Sequence, residues 1–329
     1  MTQREASHAG SWYSNDKSSL DRELSGYLDR VPSTIDDVGG IPPAGARVII
    51  APHAGYSYSG PAAAWAYKSL DLKNIKRVFI LGPSHHSYFD YCRLTLHETY
   101  LTPLGPLPID TATVKTLLSD AKFFGPMTET VDSDEHSIEM HLPYTYKILS
   151  AHFGDSIPPI VPILVGAINV ASEKSYGSIL APYLDNPENA FIVSSDFCHW
   201  GSRFSYQFYI PTEGGEGVNL RRSPGRISSR TQEIWKSIEQ LDRRAIEMIE
   251  TGVHDYFAEY LRETKNTVCG RHPIGVIMAA LEVVIEGRKA RGEDVEGKGK
   301  FKFVRYEQSS KCTRVEDSSV SYASAFAVL

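Results

Sequence analysis

Four short runs, apolar at nearly every position, constrain this chain more than any other feature. They are Arg47-Val48-Ile49-Ile50-Ala51, Arg77-Val78-Phe79-Ile80-Leu81-Gly82, the stretch 160–166 broken by Pro162, and 190–194. A strand that faces water on one side alternates polar and apolar residues. A run apolar on both faces belongs in the middle of a mostly parallel sheet, covered on each side by helices. The helices to cover it are expected at 16–30, 60–70, 110–120, 135–150, 230–250 and 273–286. In the first, Asn15 is placed to cap and Leu20, Leu24 and Leu28 share a face. Ile234, Ile238 and Leu241 mark a face of the fifth, which Gly252 stops, and Pro273 opens the sixth. The segments 301–306 and 320–328 alternate with period two, so they read as an antiparallel pair with one wet face. The expected fold is therefore α/β, a central mostly parallel mixed sheet with helices on both faces.

The 329 residues are read as one domain, 1–329, with a flexible insertion at 211–230. That stretch holds Gly214, Gly215, Gly217 and Gly225 beside Arg221, Arg222, Arg226 and Arg230, a composition suited to a solvated loop. A hydrophobic content of 42% excludes a disordered chain, and a formal net charge of −6 argues against a nucleic-acid-coating protein. No run of about 18 apolar residues is present, so no membrane insertion is expected. The first 13 residues lack the apolar core of a secretory signal. Four scattered cysteines make no disulfide framework, which points to a reduced setting in the cytoplasm.

Polar residues collect just after the strands. The first strand runs into Pro52-His53-Ala54-Gly55, the second into Pro83-Ser84-His85-His86, and the fourth into Ser195-Asp196-Phe197-Cys198-His199. Ligand sites in open α/β sheets lie outside the carboxyl ends of the strands, so these loops should share one rim. Cys269, in Val268-Cys269-Gly270-Arg271-His272-Pro273, precedes a helix, and a helix N-terminus is expected to favour its thiolate. The cluster Glu135-His136-Ser137-Ile138-Glu139-Met140-His141 puts His136 and Glu139 on one helical face. Its spacing fits neither zinc-hydrolase helix motif, and no phosphate loop, dinucleotide fingerprint or nucleophile elbow occurs.

Taken together, Ala51-Pro52-His53-Ala54-Gly55-Tyr56, Leu81-Gly82-Pro83-Ser84-His85-His86, 135–144, Ser194-Ser195-Asp196-Phe197-Cys198-His199-Trp200-Gly201 and Cys269-Gly270-Arg271-His272-Pro273-Ile274-Gly275 resemble the Memo family. The family is named as a mediator of ErbB2-driven cell motility, and Ala9-Gly10-Ser11-Trp12-Tyr13 fits it too. The resemblance implies a fold similar to class III extradiol dioxygenases, which hold non-haem iron with two His and a carboxylate. It implies that His53, His85 and Cys269 are metal ligands and that Asp196 and His199 line the same pocket as catalytic residues. Thiolate plus imidazole suits iron(II) or copper, with zinc behind them.

Three functions follow from the resemblance: a metal-binding redox protein in cell motility and invasive-growth signalling, an adaptor that captures phosphotyrosine or other anionic peptides, and a dioxygenase-like enzyme. In the third, His199 is the acid/base and Asp196 orients it. The cytoplasm is the expected location, with the nucleus as a second compartment. Oligomeric state, substrate and partner identity are not read from the sequence.

Overall fold

In the computed structural model, which describes residues 2–212, 214–220 and 232–329, the four apolar runs are adjacent strands of one sheet. We label the strands of this sheet β1 (Ala46–Ala51), β2 (Arg77–Pro83), β3 (Cys92–Leu94), β4 (Phe124–Pro126), β5 (Ile160–Val165), β6 (Asn189–Ser194), β7 (His199–Trp200), β8 (Phe301–Gln308) and β9 (Ser319–Val328). Their order is β7-β9-β1-β6-β2-β5-β3-β4, with β8 paired to β9. The central pairs β1/β6, β6/β2 and β2/β5 are all parallel, while β9/β1, β5/β3 and β8/β9 are antiparallel. All six residues of β1, β5 and β6 are buried, as double-faced burial requires.

Ten α-helices lie among the described residues: α1 (Lys17–Asp29), α2 (Tyr56–Lys68), α3 (Thr111–Leu118), α4 (Glu129–Asp134), α5 (His136–Glu139), α6 (Leu142–Phe153), α7 (Val170–Asp185), α8 (Ile234–Glu250), α9 (His254–Thr264) and α10 (Arg271–Ala290). Helices cover both faces of the sheet, with α2 against β1 and β9, and α7 and α10 against β2, β6 and each other. Gly177 in α7 makes the last contact close, since a Cβ there would stand 2.7 Å from the Ala279 Cβ.

Several expectations are corrected. The first helix is capped by Asp16, whose side chain accepts from the Ser19 N–H, and not by Asn15. Helix α2 starts at Tyr56, four residues before 60, because the Gly55 carbonyl accepts from the Tyr58 and Ser59 N–H groups and closes the first turn. The helix expected at 135–150 is broken into α5 and α6. Met140 and His141 separate the two pieces, and Pro143 sits in the first turn of α6, where its missing N–H costs nothing. Strand β9 has no wet face, because α2 packs on it and its first nine residues are buried. Of the expected insertion, 221–230 lies outside the described residues; within 211–220, Val218–Asn219 pairs with Phe208–Tyr209.

One buried carboxylate holds the N-terminal segment on this frame. Glu139 accepts from Arg4 Nη1 at 2.7 Å, Ser7 Oγ at 2.9 Å, the His8 N–H at 2.8 Å and Tyr13 OH at 2.8 Å, and pairs with His8 Nδ1 at 2.9 Å. Burial alone would raise its pKa, but the His8 bonds and the Arg4 charge bring it down to about 2. Replacing Glu139 by Ala leaves the buried Arg4 guanidinium with Asp132 as its one carboxylate partner among the described residues and should cost about 3–5 kcal/mol in urea unfolding at neutral pH. Because the folded pKa is depressed, this stabilisation is present above the ordinary carboxylate value and is lost as pH falls from 4.5 toward 2. A wild-type unfolding midpoint matched by the variant at neutral pH would contradict this role.

Candidate metal centre

The carboxyl ends of β1, β2 and β6 lie side by side, and the residues that follow them meet beneath α5. Gly82 allows this, since a Cβ there would stand 2.5 Å from Ser137 Oγ. Ser137 Oγ donates to the Pro83 carbonyl at 2.7 Å, and Ser194 Oγ donates to the Ser137 carbonyl at 2.7 Å. Helix α5 is thereby stitched to the ends of β2 and β6.

Three imidazoles converge there. Ring nitrogens of His53, His85 and His136 all lie within 4.8 Å of one another. His85 stacks on His136 with centroids 4.3 Å apart, and His53 meets both rings edge-on at 5.1 and 5.5 Å. Burial, then the neighbouring rings, pushes His53 well below its ordinary pKa and takes His136 down to about 3. Both are therefore neutral at pH 7 and each carries a lone pair.

The hydrogen bonds assign which nitrogen is free. The Ser194 hydroxyl spends its proton on Ser137, so at 2.6 Å from His53 Nδ1 it can only accept. His53 Nδ1 is thus the protonated nitrogen and Nε2 carries the lone pair. Glu135 does the same for His85. Its carboxylate accepts from the His85 N–H at 2.7 Å, the Ser137 N–H at 3.0 Å and His85 Nδ1 at 2.8 Å. Burial would raise the Glu135 pKa, yet the His85 bonds bring it down to about 2, so an ionised carboxylate faces Nδ1 and His85 presents Nε2. His136 Nδ1 is buried with no hydrogen-bond partner among the described residues, the Glu135 Oε1 standing 3.6 Å away.

Two nitrogens each about 2.0–2.1 Å from one ion stand at most about 4.2 Å apart, so small ring rotations would seat a cation among the three. An orphaned buried nitrogen and carboxylate- or hydroxyl-oriented imidazoles are what a transition-metal site presents. The donor set fits a metal ion.

The sequence-derived residues gather around this cluster. His53 and His85 belong to it. Cys269 lies outside the three-histidine group but against it, with Sγ 3.1 Å from His53 Nε2. Gly270 sets that approach, because a Cβ there would meet the Ser194 carbonyl and Ser195 Cβ at 2.3 Å. The expectation that Cys269 ionises readily is corrected. Burial and the adjacent Asp196 push its thiol well above the ordinary value, and the start of α10 does not offset them. Asp196 Oδ1 accepts from the His53 N–H at 2.8 Å, and burial raises its pKa to about 7. The Asp196 carboxylate therefore positions the His53 backbone. His199 has its Nε2 buried and without a hydrogen-bond partner among the described residues, and burial, then His85 and Arg203, lower its pKa to about 4. His136 and Glu135 are the residues that sequence reasoning passed over. Both stood in a recognised polar cluster, but the cluster was tested only against helical zinc motifs, and its histidine acts from the start of a short helix.

Fold and site together define a mixed α/β protein with an imidazole-lined centre at the carboxyl edge of its sheet. The chain belongs to the Memo family: the Memo-like protein family model matches residues 4–326. It is 44% identical to Protein MEMO1 of Danio rerio over 98% of this chain and 96% of that protein. It is 42% identical to Protein MEMO1 of Homo sapiens, over 97% and 95%. The MEMO1 family protein MHO1 of Saccharomyces cerevisiae is 39% identical over the whole of both chains. Among solved structures, an uncharacterized protein, JW3007 of Escherichia coli K12, aligns with a TM-score of 0.46 at 11% identity, covering 83% of this chain and 98% of that one.

If the close fit of Gly270 sets the position of Cys269, Gly270→Ala should overpack the loop and cost about 1–3 kcal/mol in chemical denaturation. A variant with an unchanged midpoint would show that the loop has room and that Cys269 is placed by something else.

Proposed function

We propose that this protein is a metal-dependent redox protein whose ion, iron(II) or copper ahead of zinc, is held by His53 and His85 with His136 and Cys269 as the remaining donors. The observation that carries this reading is the meeting of two buried histidine rings, His53 and His136, with a third, His85, at the exposed rim, their ring nitrogens all within 4.8 Å of one another and His136 Nδ1 without a hydrogen bond among the described residues. Imidazole with a thiol favours the softer first-row ions over magnesium or calcium. When bound, such an ion supplies one-electron redox chemistry and open positions for a small substrate.

The chain's own groups prepare that chemistry. Glu135 and Ser194 fix the His85 and His53 rings. Cys269 holds its proton beside His53 Nε2 and would give it up on binding a cation, because a coordinating thiol is deprotonated. His199 Nε2, neutral and without a hydrogen-bond partner among the described residues, is the group free to take a proton from a substrate in the same pocket. The setting we propose for it, from what the Memo resemblance implies, is cell motility and invasive-growth signalling.

Metal titration of protein purified without added metal tests the ligand set. His53→Ala and His136→Ala should each weaken iron or copper binding by roughly tenfold or more, and Cys269→Ser by a similar factor. Equal affinity in wild type and Cys269→Ser removes the thiol from the ligand set; equal affinity in His136→Ala removes the third imidazole. A separate experiment addresses His199. His199→Ala should depress metal-dependent oxidation of a chromogenic test substrate by about a hundredfold while leaving the melting temperature nearly unchanged. Unchanged turnover with a sharply lowered melting temperature would make His199 structural.

A further inference from the structure

A second cavity, sharing no lining residue with the imidazole cluster, opens between the start of α7, helix α9 and the loop that leads into α10. Its volume is about 610 Å³, which falls in the range of small-molecule sites. The apolar wall comes from Phe257 and Leu261 of α9 and from Val170, which is 44% exposed.

Three carboxylates, Glu173, Asp255 and Glu259, and three cations, Arg262, Lys265 and Arg271, line it, but they are not paired one to one. Asp255 is paired with Lys174 and His254, and Glu259 with Arg262. Glu173 is buried between two histidines, 2.7 Å from His254 Nε2 and 2.6 Å from His272 Nδ1. Every carboxylate on the lining is thus spoken for. Lys265 and Arg271 are not. Neither has a carboxylate partner among the described residues, and Arg271 uses only its Nε, which donates to His272 Nε2 at 3.3 Å. The two terminal nitrogens of the Arg271 guanidinium have no protein partner among the described residues.

The backbone that carries Lys265 and the ring that Arg271 touches are both fixed. Lys265 caps α9 in the left-handed conformation, with its N–H on the Leu261 carbonyl. His272 is clamped by Glu173, and Gly275 gives that carboxylate its room, since a Cβ there would stand 2.5 Å from Glu173 Oε2. Arg271 therefore leans on a ring that is itself fixed from behind.

We propose that this cavity binds a small organic carboxylate, with the oxyanion between Lys265 and Arg271 and an apolar body against Phe257 and Leu261. A carboxylate matches the guanidinium fork in charge and shape. Inorganic phosphate carries the charge but no apolar body to lay against Phe257 and Leu261, so it should bind more weakly than a carboxylate with a ring. The proposal is independent of the metal reading, because none of its residues is a ligand there.

Calorimetric titration of the full-length protein with benzoate tests it, with benzamide as the neutral analogue and inorganic phosphate as the charge without a body. Benzoate should saturate below about 10 mM, with benzamide and phosphate each about tenfold weaker or more. Lys265 and Arg271 are exposed, so Lys265→Gln with Arg271→Gln should fold normally and lose at least about tenfold in benzoate affinity. His85→Ala should bind benzoate as wild type does. The proposal fails if benzoate does not saturate, if the double variant binds it equally, or if benzamide or phosphate matches it. It also fails if His85→Ala abolishes binding, which would place the anion at the imidazole cluster instead.

Discussion

A single buried carboxylate, Glu135, holds the site in register. It accepts the backbone N–H and the ring nitrogen of His85 and the N–H that begins α5, so one charged group joins a strand-end loop to the helix that carries His136. A buried charge is tolerated only when its lone pairs are used, and here the hydrogen bonds that satisfy it also fix the geometry. The same interaction decides which His85 nitrogen is free. Four residues on, Glu139 repeats the device outward, drawing Arg4, Ser7, His8 and Tyr13 onto α5. Trp12, carried on that segment, then lies 4.4 Å from the His136 ring and helps enclose it.

The rest of the centre follows from topology. Parallel strands deliver their carboxyl ends to one edge, so His53, His85 and Asp196, separated by up to 143 residues, arrive within a few ångströms. Close packing then depends on two residues without side chains. Gly82 lets α5 rest on the end of β2, and Gly270 lets the Cys269 loop lie on the end of β6. The loop also divides two environments. Its middle faces the imidazoles through Cys269, while Lys265 and Arg271 at its ends face the neighbouring cavity.

Much of this was legible in the residues. Double-faced apolar runs identified the central strands β1, β2, β5 and β6, because burial on both sides leaves no room for alternation. The strand-end histidines were visible for the same reason. Other features depended on contacts that no local pattern announces. The short strands β3 and β4 have three residues each, too few for a period. Strand β9 alternates in sequence yet is buried on both faces: Ser324 donates to the Ala62 carbonyl of α2 on one side, while Ala323 and Ala325 pack on the other. His136 escaped assignment because Glu135 is held extended by its bonds to His85, which starts the helix one residue later and turns the ring into the cluster. The Cys269 thiol was judged from its helix, whereas its burial beside Asp196 outweighs the helix end.

The central claim is that these imidazoles coordinate a metal ion, and X-ray absorption of copper- or iron-loaded protein tests it most directly. The account predicts an inner shell of at least two imidazole nitrogens at about 2.0–2.1 Å, recognisable by multiple scattering from the rings, with a sulfur at about 2.3 Å if Cys269 joins them. A shell of oxygen donors alone, with no imidazole scattering, would contradict it.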